Sequence, residues 1–238
     1  VDWVALLAPW VRDLSEEALK LINTFWPGPL TLVLEKKSTI SDLVTSGKNS
    51  VGVRIPSHPI ALALLEMLDF PLAAPSANPF GYISPTTSEH VRKQLGNKIP
   101  FILEGGSCEK GVESTIVGFE NNKPVLYRVG AISIEEIEKC IGKLELKNTS
   151  FASPEAPGML NKHYSPTTKF IVSDNISQSI KENRDANVGF LLFSNEFDFL
   201  PSEKFIALSK NKDLSEAARN LYSWFGDHVA RNSSQASI

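Results

Sequence analysis

Cysteine is nearly absent from this chain of 238 residues, which has only Cys108 and Cys140. Two thiols cannot build a disulfide framework, and these two form no Cys-x-x-Cys pair, so the usage suits a reducing cytoplasm. Histidine is as sparse: His58, His90, His163 and His228 stand at least 32 positions apart, which excludes a zinc signature of the His-x-x-x-His kind. No apolar run approaches the roughly 20 residues that span a membrane; the longest candidate, Ile60 to Leu68, is broken by Glu66. An excess of either charge is missing too. Twenty-four Lys+Arg face 27 Asp+Glu, for a net charge of −3 and a pI near 5.9. That argues against whole-surface attraction to nucleic acid or anionic lipid and leaves a local basic patch open. There is no Gly-x-Ser-x-Gly elbow, no Walker loop, no internal repeat and no low-complexity tract. No nucleophile stands beside a base, so no residue is assigned to covalent catalysis.

What is present is an ordinary globular balance. Hydrophobic residues make up 42% and charged residues 21%, and the mean hydropathy is −0.08. Asp13 with Glu16 reads as a capping box for a helix carrying Leu14, Ala18, Leu21, Ile22 and Phe25, stopped by Trp26-Pro27-Gly28-Pro29. Strands are expected at Leu30–Glu35, Val51–Ile55, Pro71–Pro75, Phe101–Leu103, Ser114–Phe119 and Val125–Val129. Helices are expected from Pro59 to Leu68, after a Thr86/Glu89 box, and after a Ser133/Glu136 box up to Gly142. Residues 147–157 are rich in Ser, Pro and small side chains, as a linker is. A second pattern starts at Lys169: strand FIV, helix 176–184, strands VGFLLF and FIAL, and a helix from Leu214. The division expected is therefore 1–146, a linker 147–168, and a small α/β domain 169–238.

Several segments are suited to holding anions. In Val51-Gly52-Val53-Arg54-Ile55, a core face of Val51, Val53 and Ile55 leaves Gly52 and Arg54 together on the other, giving a guanidinium beside a vacant side-chain position. Ser76-Ala77-Asn78 follows an apolar run, and Ser84-Pro85-Thr86-Thr87 crowds hydroxyls and amides onto a helix N-terminus. Glu113-Ser114-Thr115 and Tyr127-Arg128 repeat the theme. Each segment alone also reads as a solvated strand face or a plain capped turn.

In combination they carry more. PGPLTLVLEK, VGVRIPSHPIA, AAPSANPFGYISPTT, ESTIVGF and YRVGAIS, in that order, resemble the YrdC-type domain, and PGMLNKHYSP resembles the linker of the two-domain threonylcarbamoyl-AMP synthases. The likeness runs from Trp26 to Pro166. It implies an α/β fold: a twisted open sheet with helices around a concave cavity, followed by a small Rossmann-like domain. It implies a reaction in which L-threonine, bicarbonate or CO2, and ATP with Mg2+ give threonylcarbamoyl-AMP and pyrophosphate. Partner proteins then transfer the group to tRNA, with little direct tRNA binding by this chain and no membrane association.

The resemblance places the threonine carboxylate on Arg54 and the threonine or its carbamate on Ser114. It places the nucleotide on Ser50, Ala74, Ser76, Ser84 and Arg128, with Tyr164 reaching back over it. The family's amino-terminal segment, with a threonine-site stretch and a Lys-x-Arg-Pro phosphate motif, would precede Val1. Its absence leads to the expectation that this chain binds ATP poorly and turns over little. Three other readings stand beside the synthase. An RNA- or tRNA-binding module of the same fold is disfavoured by the net charge, and a carbamoyl-transfer domain by the HYSP linker. The third is an inactive paralogue that keeps the fold.

Overall fold

In the computed structural model, residues 2–147, 171–183, 188–197, 200–201 and 204–225 are described. The first helix, α1 (Trp3–Leu7), is opened by Asp2, whose Oδ1 accepts from the amides of Val4 and Ala5. The cap of α2 (Glu16–Phe25) is Ser15 rather than Asp13: its Oγ accepts from the Ala18 amide at 3.2 Å. Starting there puts Glu16 and Glu17 in the first turn, at the positive end of the helix dipole. It also buries Ala18, Leu21 and Ile22 as one stripe.

The next elements are β1 (Leu30–Glu35), α3 (Asp42–Thr45), β2 (Ser50–Val53), α4 (Pro59–Glu66) and α5 (Ser88–Leu95). After them come β3 (Thr115–Glu120), β4 (Lys123–Arg128), α6 (Ile134–Ile141), β5 (Glu145–Leu146), α7 (Ile176–Asn183), β6 (Phe190–Leu192), β7 (Phe205–Ala207) and α8 (Leu214–Trp224). By their contacts the residues fall into two compact units, Val1–Pro75 with Glu113–His163, and Ser76–Val112 with Tyr164–Ile238.

The first unit is built on an open five-stranded sheet of order β2-β1-β3-β4-β5. It is mixed: β1 runs antiparallel to β2 and parallel to β3, β3 antiparallel to β4, and β4 parallel to β5. Alternation along the strands sends Leu30, Leu32, Leu34, Val117 and Leu126 to one face, where α2 and α6 cover them with Leu21, Ile22 and Ile137. Helix α6 begins at the expected Ser133/Glu136 capping box and ends at Gly142. On the opposite face Val33, Ile116, Val125 and Tyr127 form a smaller buried cluster.

In the second unit β6 and β7 pair in parallel, and Ile180 of α7 packs with Phe190, Leu192 and Leu200. Gly111, at φ +67, passes so close to the Arg219 backbone of α8 that an added Cβ would lie 2.4 Å from it. The residue therefore needs both a positive φ and the lack of a side chain.

Several expectations are corrected. Pro71–Pro75 is not a buried strand. Its two prolines remove ladder donors, no strand pairs with it among the described residues, and Leu72 is exposed. Phe101–Leu103 is likewise an exposed loop, and Ile171-Val172 forms no strand. The cap of α5 is Thr87, not Thr86: the Thr87 Oγ1 accepts from the His90 amide, because Thr86 is buried and its own amide points to the His90 ring. Strand β2 and helix α4 each end two residues earlier than their hydrophobic runs. Among the described residues no helix is long and apolar enough to cross a membrane.

Candidate functional site

Arg54 leaves β2 on the face opposite the core. Val51, Val53 and Ile55 pack inward as the alternation requires, and Gly52 and Arg54 point the other way. The Arg54 Nε donates to the Gly28 carbonyl at 3.0 Å, which fixes the plane of the guanidinium. The Gly28 amide in turn donates to the Ile55 carbonyl at 2.8 Å, and the Thr115 amide to the Pro29 carbonyl at 3.0 Å. The Gly28-Pro29 turn is therefore clamped from one side by the β2 end and from the other by the start of β3. That brings Arg54 and Ser114, 60 positions apart in sequence, to the two flanks of one turn.

The second half of the site forms where β3 begins and β4 ends. Between Val117 and Ile116 the register shifts, so that Val117 faces Leu126 but Ile116 faces Arg128, with Tyr127 as the extra residue. Such a bulge re-aims the side chain that follows it. Arg128 consequently grips Ser114 twice, through Nε to the carbonyl and Nη2 to Oγ, both at 3.0 Å. Its Nη2 also lies 3.3 Å from Glu113 Oε2, with the two side chains only 14% and 23% exposed.

The backbone beyond Arg128 is locked to the same segment. The Ala131 amide donates to the Glu113 carbonyl, the Thr115 Oγ1 donates to the Ile132 carbonyl, and the Ile132 amide returns to that hydroxyl. Gly130 lies so close that a Cβ would meet the Glu113 carbonyl oxygen at 2.4 Å. The EST and YRVG motifs are thus one interlocked structure carrying two guanidinium groups, one carboxylate and a buried serine hydroxyl. Such a structure can bind and orient an anionic or zwitterionic ligand.

Two residues that sequence reasoning missed belong here. Thr31 of β1 places its Oγ1 2.8 Å from Ser114 Oγ, and Glu113 supplies the carboxylate beside Arg128. A threonine inside the apolar run LTLVLE was the available signal for the first; the second was visible only as the opening residue of EST.

The other expected site residues are more scattered. Ser50 faces Glu35 at the far end of β2 from Arg54. Ala74 is exposed in the loop that closes the first unit's amino-terminal stretch. Ser76 and Ser84 belong to the second unit, in a loop tied by Asn78: its amide donates to the Ser76 carbonyl, and its Nδ2 to the carbonyls of Pro79 and Tyr82. Behind Ser84, the buried Thr86 donates its amide to Nδ1 of the buried His90 at 3.3 Å. Tyr164 lies outside the described residues. Among the described residues no three His, Cys, Asp or Glu side chains group as metal ligands.

Comparison with known proteins agrees with this geometry. The family model described as "Telomere recombination" (Sua5, YciO and YrdC) matches residues 2–130, and that described as "Threonylcarbamoyl-AMP synthase, C-terminal domain" matches 132–228. Threonylcarbamoyl-AMP synthases of Pyrococcus abyssi, Schizosaccharomyces pombe and Bacillus subtilis are 42%, 38% and 35% identical over 72%, 88% and 87% of this chain. The chain in turn spans 53%, 58% and 63% of their lengths. The crystal structure of P. abyssi Sua5 complexed with L-threonine is similar at a TM-score of 0.83 and 33% identity, covering 98% of this chain and 70% of that one. With its strand order, its interlocked EST and YRVG segments and these matches, the chain belongs to the Sua5–YciO–YrdC family and carries the C-terminal domain of the threonylcarbamoyl-AMP synthases.

Proposed function

We propose that the chain contributes the threonine-handling half and part of the nucleotide-handling half of an L-threonylcarbamoyladenylate synthase. The observation that carries this is the pairing of Arg54 on the Gly28 turn with the Arg128–Ser114–Glu113 group, on a fold similar to a Sua5 solved with L-threonine. Arg54 holds the threonine carboxylate, Ser114 faces the amine or its carbamate, and Arg128 neutralises phosphate charge. Ser50, Ala74, Ser76 and Ser84 contact the nucleotide, and Tyr164 covers it from the linker. The domain division is catalytic residues 1–146, linker 147–168 and accessory domain 169–238.

The chemistry is positioning and charge neutralisation. The threonine amine adds to CO2 drawn from bicarbonate, forming an N–C bond and a carbamate while its protons pass to solvent. A carbamate oxygen then attacks the α-phosphorus of ATP and pyrophosphate leaves. No side chain has to become a nucleophile. Mg2+ would ride on the ATP phosphates, because the site offers guanidinium and hydroxyl groups rather than a carboxylate cage. The product passes to proteins that transfer threonylcarbamoyl to tRNA, and the setting is cytoplasmic.

Replacing Arg54 by Ala tests the assignment. L-threonine binding should weaken at least tenfold, by the size of a lost charge-assisted pair, with ATP much less affected. Equal losses for both ligands would make Arg54 structural and remove the basis of the reading.

A further inference from the structure

Ser114 Oγ has two lone pairs and one proton to offer. The Arg128 Nη2, which can only donate, fills one lone pair from 3.0 Å. The Thr31 Oγ1, 2.8 Å away, makes the other contact, and in a pair of hydroxyls either one can donate. Thr31 is firmly set. It lies in β1 between β2 and β3, and its methyl points toward Gly52, where an added Cβ would sit 3.4 Å from Cγ2. Its hydroxyl is therefore committed to the β3 side, where Ser114 is.

Two arrangements share the same heavy-atom positions. When Ser114 donates to Thr31, one Ser114 lone pair remains open and the group presents an acceptor. When Thr31 donates to Ser114, both lone pairs are filled and the Ser114 proton turns outward, so that the group presents a donor. Building on the proposal that Ser114 faces the amine of L-threonine, we infer that Thr31 is a positioning residue that lets Ser114 switch polarity during the reaction. The substrate needs this. Bound as an ammonium ion, threonine offers only donors at its nitrogen. Once that nitrogen has lost its protons to solvent and formed its bond to CO2, it carries a carboxylate, which offers acceptors. A rotation of two hydroxyl protons follows the change with no movement of backbone or charge.

The test compares L-threonine, whose ammonium is a donor, with N-formyl-L-threonine, which places a carbonyl acceptor on the same nitrogen. Both are titrated calorimetrically into the chain and into its Thr31→Val and Thr31→Ser variants. In Thr31→Val, the Ser114 proton loses its acceptor in the ammonium complex but keeps the ligand as acceptor in the formyl complex. The expected result is L-threonine weakened about 5- to 10-fold, the size of one net hydrogen bond, and N-formyl-L-threonine changed by less than about 2-fold. Thr31→Ser should restore L-threonine binding, and Thr31→Ala should repeat the pattern if the valine variant folds poorly.

Equal weakening of both ligands, or of neither, overturns the inference and leaves the threonine site standing. The same holds if the unsubstituted chain binds L-threonine but not the formyl derivative, because the donor arrangement is then missing. If the unsubstituted chain binds no L-threonine, the underlying site assignment falls, and the inference falls with it.

Discussion

Removing the Arg128 side chain is the most searching test of how the site is held together. In Arg128→Met the aliphatic stem is kept and the guanidinium is lost. Three contacts vanish: Nε to the Ser114 carbonyl, Nη2 to the Ser114 hydroxyl, and Nη2 to Glu113 at 3.3 Å. The Glu113 carboxylate, 23% exposed, is left without this partner. Breaking a buried pair on one side typically costs about 3–5 kcal/mol. Because the pair is partly solvated, the lower end applies, about 3 kcal/mol. For a unit of this size that corresponds to roughly 6–12 °C in its melting transition. Converting Glu113 to Gln in the same background should recover about 1–2 kcal/mol, since the stranded charge is then gone. Urea denaturation of the four proteins of this cycle, followed by circular dichroism, reads both quantities. A loss below about 0.5 kcal/mol for Arg128→Met, or no recovery in the double variant, would refute the view that Arg128 and Glu113 form a shielded, mutually dependent pair.

Three further outcomes follow from the packing and the charges. Gly118→Ala would place a methyl 2.2 Å from Cε2 of the buried Tyr127 ring, so unfolding stability should drop by about 1–3 kcal/mol in a urea titration. His90→Asn, which keeps an acceptor near the position of Nδ1, should protect the Thr86 amide from hydrogen exchange better than His90→Phe, which leaves that buried N–H unpaired and exchanging at least tenfold faster. Hydrogen bonds from Lys147 and then Tyr127 hold the Glu120 carboxyl below its usual range. Its folded-state pKa is depressed, so its contribution is present above the ordinary carboxylate value of about 4.3 and is lost as the pH falls through the lowered one. Glu120→Gln should therefore lower the melting temperature slightly at pH 7 and leave it unchanged at pH 2.

How far the sequence foretold this depends on how local each feature is. The Ser133/Glu136 box and the single-face alternation of Val51, Val53 and Ile55 are set within a few residues, and both stand in the structure. The choice between Thr86 and Thr87 as cap is equally local but ambiguous. It is decided by burial of Thr86 against His90, which no spacing reveals. Pro71–Pro75 was read as a strand from its apolar run, yet a strand needs a neighbour to pair with, and the described sheet provides none there. Thr31 was passed over because its contact with Ser114 spans 83 positions and exists only through the parallel register of β1 and β3. The bulge that aims Arg128 likewise depends on a register shift of one residue between two strands. Arg54, Ser114 and Arg128 were legible as anion-binding types, but their union around the Gly28 turn and the Glu113 carboxylate is a property of the sheet.

Calorimetric titration of this chain with ATP and Mg2+, in the presence and absence of L-threonine and bicarbonate, tests the central claim most directly. A shared site predicts that ATP, weak alone, binds at least several-fold more tightly once threonine and bicarbonate are present, with the reciprocal gain for threonine. An ATP affinity that is the same with and without threonine, or no binding of either ligand, would contradict a common threonine and nucleotide site on these residues.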